Sequence, residues 1–277
     1  MNLFDLTAFR CSKIITQHYS TSFSLGIRSL HQRFHDPVYA IYGFVRYADE
    51  IVDTFYDHDQ ARLLDDFKQD TYRALEDKIS LNPVLHAFQK TVTEYAIETE
   101  LIDAFLHSMA MDLHPQVYDA SGYEEYIYGS AEVVGLMCLR VFCEGDDALY
   151  QQLKPPARRL GAAFQKVNFL RDIKSDYQDR GRVYFPDVDF NHFSQSAKAT
   201  IEADIQADFD AAYQGILGLP PAARLGVYLA YVYYLRLFKK IKNCSAARIA
   251  NERIRIPDNQ KLMLLLGTYF KNQFNYL

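Results

Sequence analysis

The stretch RYADEIVD (46–53) sets Asp49 and Asp53 four residues apart, with Glu50 between them and Arg46 ahead. Residues at that spacing share one helical face, their Cβ atoms ~6 Å apart, so both carboxylates point the same way. Upstream, Val38, Ile41, Tyr42 and Val45 follow at three- and four-residue steps and lead into Asp49, then Val52 or Asp53. The spacing predicts a helix over 34–53 whose carboxylates continue an apolar stripe, not a wet face. A second stretch, RDIKSDYQDRGRVYFP (171–186), repeats the pattern with Asp172 and Asp176, behind Phe164, Gln165, Asn168 and Arg171. For either pair alone, a solvated face or local pairing with Arg46 and Arg171 is the ordinary explanation. Carboxylates on a core-facing stripe, however, need a cationic partner. Two such pairs, with no matching set of His and Cys, predict a hard, oxygen-seeking ion. Mg²⁺ fits better than Zn²⁺, and such an ion is normally shared with phosphate oxygens of a substrate. Arg46, Arg171, Arg180 and Arg182 would supply complementary charge.

Outward from these stretches, helix punctuation recurs. Asn82-Pro83 reads as N-cap and first helical residue, Ser121 with Glu124 as a capping box, and Asp258 as the cap of a last helix. Pro155-Pro156 and Pro220-Pro221 each read as the opening of a helix. Alternating strand patterns between Gly-rich turns are absent, as are internal repeats and long linkers. The expectation is a single all-α domain over residues 1–277, with eight or more helices.

Composition narrows the function. A net charge of −5 argues against nucleic acid as a partner, and the basic run at 236–255 reads as a solvated helix face. Cys11, Cys138, Cys143 and Cys244 show neither CxxC nor zinc-finger spacing and read as reduced thiols of a cytoplasmic protein. The N-terminus lacks a signal-peptide pattern, and GVYLAYVYYL (226–235) and LMLLLG (262–267) fall short of a ~20-residue membrane span. Contact with a membrane is therefore expected to be peripheral and transient, and no obligate protein partner is evident. The 21 Tyr and 19 Phe, with no Trp, fit either aromatic-rich packing or an apolar cavity lined by rings.

Taken together, RYADEIVD, QKVNFLRDIKSDYQDRGRVYFP (165–186) and YIYGSAEVVG (126–135) resemble the signatures of the squalene/phytoene synthase family, and related motifs run from HYSTSFS (18–24) to ERIRIP (252–257). Chain-elongating prenyltransferases carry DDxxD, and neither acid stretch has that form. The resemblance implies an isoprenoid-synthase fold with acid helices facing across a central cavity. It implies Mg²⁺, or Mn²⁺ in its place, held by Asp49, Asp53, Asp172 and Asp176, and head-to-head condensation of two prenyl diphosphates through a cyclopropyl intermediate. Arg46, Arg171 and Arg253 correspond to diphosphate-binding residues, with Arg171 and Tyr126 counted among the catalytic ones. Tyr126, Gln165, Asn168 and Tyr234 correspond to polar residues of the cavity, and Ser22, Phe23 and Ile27 to substrate contacts. Gly129, Ala131 and Gly135 read either as a close helix crossing or as room for a prenyl chain.

Thr21 departs from the family, many of whose members carry a basic residue there; His18 or Ser22 are the local substitutes. Asp179 is either a further acid near the metals or a partner of Arg182. The leading expectation is condensation of two C20 geranylgeranyl diphosphates to phytoene without NADPH. It leans on the RGRVYFP ending (180–186), on the absence of a C-terminal anchor, and on Ile27 standing where a C15-using relative has a large aromatic, with Gly26 beside it. Tyr39 is a second candidate wall residue. The alternatives are squalene or dehydrosqualene synthesis from two farnesyl diphosphates and, from another class, a non-catalytic scaffold, which would be expected to have lost acid-motif residues.

Overall fold

Apolar residues at helical spacing, broken by strong caps, fold into twelve α-helices among the described residues. The computed structural model describes residues 1–113, 118–174, 176, 182–186 and 193–257. The helices are α1 (Leu3–Tyr19), α2 (Thr21–Arg28), α3 (His35–Thr54), α4 (Gln60–Asp77), α5 (Pro83–Tyr95), α6 (Thr99–Met111), α7 (Ala120–Ile127), α8 (Val133–Cys143), α9 (Asp147–Lys174), α10 (Gln195–Gly218), α11 (Pro221–Lys242) and α12 (Ala246–Asn251). A π-helical turn, Tyr128–Glu132, joins α7 to α8. No strand occurs among the described residues, so the all-α expectation holds.

Two of the expected helix starts are found in place. Asn82 accepts from the backbone N–H of Val84 at 3.0 Å with Pro83 at the first helical position, and Pro220-Pro221 opens α11. Two are corrected. α7 is capped by Asp119, which accepts from Gly122 N–H at 2.8 Å and from the Ser121 hydroxyl at 3.0 Å, so Ser121 lies inside the helix. Pro155 and Pro156 sit within α9 and do not start it. Their missing N–H groups leave the carbonyls of Gln151 and Gln152 without helical donors, but both residues are exposed to solvent. Pro156 is retained by packing: a Cβ on Gly215 of α10 would come within 2.5 Å of its ring. Asp258 and the helix expected after it lie outside the described residues.

Two apolar clusters form the core. One gathers α2 to α6 with α8, and the other gathers α7 with α9 to α12. The first is rich in rings: Phe44 stacks on Phe88 at 3.9 Å and meets Phe67 and Phe105 at 5.5 and 5.4 Å. Gly129, in the π turn, lies so close to α6 that a Cβ would stand 2.4 Å from the carbonyl of Ala104. That glycine serves a close helix crossing. The continuous run Ala120–Cys143 is long and apolar enough to cross a membrane by length and composition, yet 56% of its most apolar window is buried within the fold. The four cysteines are free thiols.

α1 is fastened by a buried acid. Asp5 completes a capping box with Asn2 and receives His86 of α5 at 2.8 Å and Lys90 at 3.1 Å. The hydrogen bond from His86, ahead of Lys90, holds the Asp5 carboxyl down at about 2, against an ordinary 3.8. A depressed folded-state value stabilises above the ordinary pKa, and that stabilisation is lost as pH falls toward 2. Asp5→Asn is therefore expected to lower the urea midpoint at pH 7 and to flatten the acid dependence between about pH 4 and pH 2. Equal midpoints at pH 7 would show that this fastening contributes nothing.

Candidate active site

A cavity of about 430 Å³ lies between the two clusters, walled by α2, α3, α8, α9, α10 and α11. Its walls share one polarity gradient. Along α9 the lining runs from Leu153 and Pro156 to Gln165, Asn168 and Arg171, a span of ~27 Å at 1.5 Å per helical residue. On α2 it passes from Ser22 to Ile27 and then Leu30 beyond the helix, and on α3 from Val45, just before Asp49, back to Val38. One end is lined by polar side chains, and the other by aliphatic side chains and Phe142.

Most predicted substrate residues meet on this wall: Ser22, Phe23, Ile27, Gln165, Asn168, Arg171 and Tyr234. The π turn faces Ser130 inward, where its hydroxyl accepts from Gln165 Nε2 at 3.1 Å; the Gln165 carbonyl in turn accepts from Asn168 Nδ2 at 3.4 Å. Asn168 Oδ1 is buried and has no hydrogen-bond partner among the described residues, so the polar end presents an acceptor awaiting a donor or a cation. Tyr234 stacks on Phe164 at 4.0 Å, and burial raises the pKa of its hydroxyl.

None of the four acids lines the cavity; they sit on, or just after, two of the helices that wall it. Asp49 and Asp53 project from the last turns of α3, Asp172 from the last turn of α9, and Asp176 just after it. Asp49 is a third exposed at its side chain, yet protein encloses it beyond that opening, and this burial pushes its carboxyl up to about 7 against the pull of Arg46. Arg46 stands 3.8 Å from Asp49, but its firmer partner is Glu50, with its guanidinium over the Tyr19 ring at 4.4 Å. It is not on the cavity wall. Asp172 is gripped by Arg171 and by Arg253 Nε at 2.7 Å, so Arg253 reaches the site through that carboxylate.

Two further expectations are placed differently. Tyr126 is 3% exposed and turned away from the cavity; its hydroxyl donates to Asp112 Oδ2 at 2.6 Å within a stack with Tyr118 and Tyr184. The extra residue of the π turn shifts the helical register, so residues before it face a different side from Ser130 after it. Tyr39 is buried outside the wall, and Val38 takes its place there. Asp179 and Arg180 lie outside the described residues. Asp112, at the end of α6, is the site neighbour that sequence reasoning missed. A single acid after an apolar run carries no spacing signal, and only the fold brings it to Tyr126, Tyr184 and Arg182.

The donor set fits Mg²⁺. It offers only oxygen, and the Asp49 carboxyl, raised by burial, is relieved by a nearby cation. No three acidic, His or Cys side chains among the described residues form a ready-made cage.

The sequence model of the squalene/phytoene synthase family matches residues 16–260. The chain is 26% identical to 4,4'-diapophytoene synthase of Staphylococcus haemolyticus over 70% of its length and 67% of that protein's. It is 29% identical to phytoene synthase of Cereibacter sphaeroides over 78% of its length and 66% of that protein's. With phytoene synthase of Arthrospira platensis it shares 24% identity over 93% and 91% of the two chains. In fold, it is similar to a dehydrosqualene synthase with a TM-score of 0.81, at 23% identity over 97% and 98% of the chains. The squalene synthase HpnC of Alicyclobacillus acidocaldarius gives 0.77 at 20% identity over 91% and 98%. The chain belongs to the squalene/phytoene synthase family, a family of prenyltransferase-type enzymes.

Proposed function

We propose that this protein condenses two geranylgeranyl diphosphates head to head to phytoene, with Mg²⁺ and without a nicotinamide cofactor. The observation that carries the reading is the polarity gradient of the cavity, polar at Ser22, Gln165, Asn168 and Arg171 and apolar at Leu30, Val38, Phe142 and Leu153. A C20 chain of four isoprene units spans ~20 Å at ~5 Å per unit, taken from ordinary bond lengths, and the ~27 Å wall along α9 accommodates it.

Asp49, Asp53, Asp172 and Asp176 would hold Mg²⁺, which when bound neutralises charge on the diphosphates. Arg171 and Arg253, both fixed on Asp172, lie where a departing diphosphate gathers negative charge as the C1–O bond breaks and its electron pair leaves. The allylic cation at C1 is attacked by the C2–C3 double bond of the second molecule. Closure of the cyclopropane releases one proton, and a second ionisation and rearrangement give the 1–1′ bond with loss of another. Phe164 and Tyr234 present ring faces to the cationic stages. The apolar walls exclude water that would quench them. Asn168 Oδ1, buried and without a hydrogen-bond partner among the described residues, would accept a hydrogen bond at the polar end.

A second reading, condensation of two C15 farnesyl diphosphates, has one observation in its favour. The diapophytoene synthase relative and the dehydrosqualene synthase fold both stand close to this chain. Incubation of the protein with each diphosphate and Mg²⁺, with and without NADPH, followed by mass analysis, decides between them. The expected product is a C40 hydrocarbon from the C20 substrate, formed equally without NADPH. A C30 product in preference, or strict dependence on NADPH, would overturn the phytoene reading.

A further inference from the structure

One buried arginine ties the acid stretches together, through its guanidinium to Asp53 and its backbone to Asp176. Arg182 is 6% exposed and donates through Nη1 to Asp53 Oδ1 at 2.8 Å. Its Nη2 donates to the backbone carbonyls of Asp112 at 3.1 Å and Val52 at 3.3 Å, and its backbone N–H donates to the carbonyl of Asp176 at 2.8 Å. Its Nε faces Asp112 Oδ1 at 3.5 Å. Asp112, 8% exposed, is itself fixed by the hydroxyls of Tyr126, at 2.6 Å, and Tyr184, at 3.3 Å. The cation thus sits between two carboxylates with opposite destinies: Asp53 belongs to the candidate metal pair, whereas Asp112 is sealed behind tyrosines.

We propose that Asp112 is a positioning residue for the first acid pair, acting through Arg182. This rests on the reading of Asp49 and Asp53 as Mg²⁺–diphosphate ligands. A buried cation with one carboxylate partner holds that partner tightly, because nothing else compensates its charge. Asp112 supplies the second negative charge. It draws Arg182 away from sole reliance on Asp53 and offsets the repulsion that a lone guanidinium would exert on the site of a divalent cation. Without it, Arg182 competes with the metal for Asp53.

The test uses Asp112→Asn, which keeps shape and removes charge, in the full chain. Mn²⁺ binding in the presence of inorganic pyrophosphate is followed by titration calorimetry, alongside the Mg²⁺ dependence of turnover. Loss of an outer partner of a metal ligand costs 10–100-fold in metal affinity. Mn²⁺ binding is expected to weaken by about that factor. The half-saturating Mg²⁺ concentration should rise in parallel, with turnover recovering at saturating Mg²⁺. A merely structural role would lower the melting temperature and the active fraction while leaving the Mg²⁺ dependence unchanged, and that outcome overturns the proposal. Should Asp112→Asn fail to fold, Tyr184→Phe decides. It frees the Asp112 oxygen that faces Arg182, strengthens its pull on the guanidinium, and is expected to tighten Mn²⁺ binding by about 3-fold at this lesser perturbation; binding equal to or weaker than wild type overturns the proposal. If the unaltered protein binds no Mn²⁺ with pyrophosphate, the underlying reading falls and the proposal with it. If the unaltered protein binds and both variants bind equally well, only the role of Asp112 falls.

Discussion

Replacing Asp172 with alanine is expected to lower turnover by about 10³-fold or more while leaving the fold in place. Removing one group that stabilises developing charge costs 10²–10³-fold in a preorganised site, and Asp172 does two such things at once. It is a proposed metal carboxylate, and it anchors Arg171 and Arg253 at the polar end of the cavity. Its contribution to folding is small by comparison. Arg253 is half exposed at its side chain, and ion pairs of that kind contribute about 0–1 kcal/mol. The melting temperature by circular dichroism should therefore change little, and the kinetic defect should persist at high substrate. Chelation of divalent ions is expected to abolish turnover in the unaltered protein, with Mg²⁺ or Mn²⁺ restoring it. Turnover near the unaltered level in Asp172→Ala would sink the assignment of the acid stretches.

The acid pairs were legible because their signal is local. Four-residue spacing on an apolar stripe means the same thing whatever packs against it, and the caps at Asn82 and Pro220 are local in the same way. What escaped depends on tertiary contact. Pro155-Pro156 read as a helix start, but Pro156 packs on Gly215 from inside α9. The facing of Tyr126 was misread because a π turn inserts a residue of register that no composition announces. The aromatic excess had two readings and both apply. Phe44, Phe67, Phe88 and Phe105 pack on one another in the core, while Phe23, Phe164 and Tyr234 line the cavity. Which ring does which follows from helix crossings alone.

The second large effect concerns chain length. Ile27→Phe is expected to reduce turnover of geranylgeranyl diphosphate at least about 10-fold relative to farnesyl diphosphate, because overpacking obstructs the longer chain first. Ile27 is 2% exposed and lies on the cavity wall toward the apolar end, in the company of Leu30, Val38 and Phe142. The backbone behind it has little freedom to retreat. α2 crosses α11 where a Cβ on Gly226 would stand 2.8 Å from the Gly26 carbonyl and 2.5 Å from Leu30, so an added ring must grow into the cavity. Gly26 itself has ordinary space, its own Cβ position lying 3.8 Å from the Gly226 carbonyl. Gly26→Ala is thus a control of similar location with little expected effect on chain-length preference. Competition between the two diphosphates, read as the ratio of C30 to C40 product, measures the shift. Equal loss with both substrates, accompanied by a lowered melting temperature, would mean that Ile27 serves only the packing of α2, and the limit on chain length would then have to lie deeper, at Leu153 or Phe142.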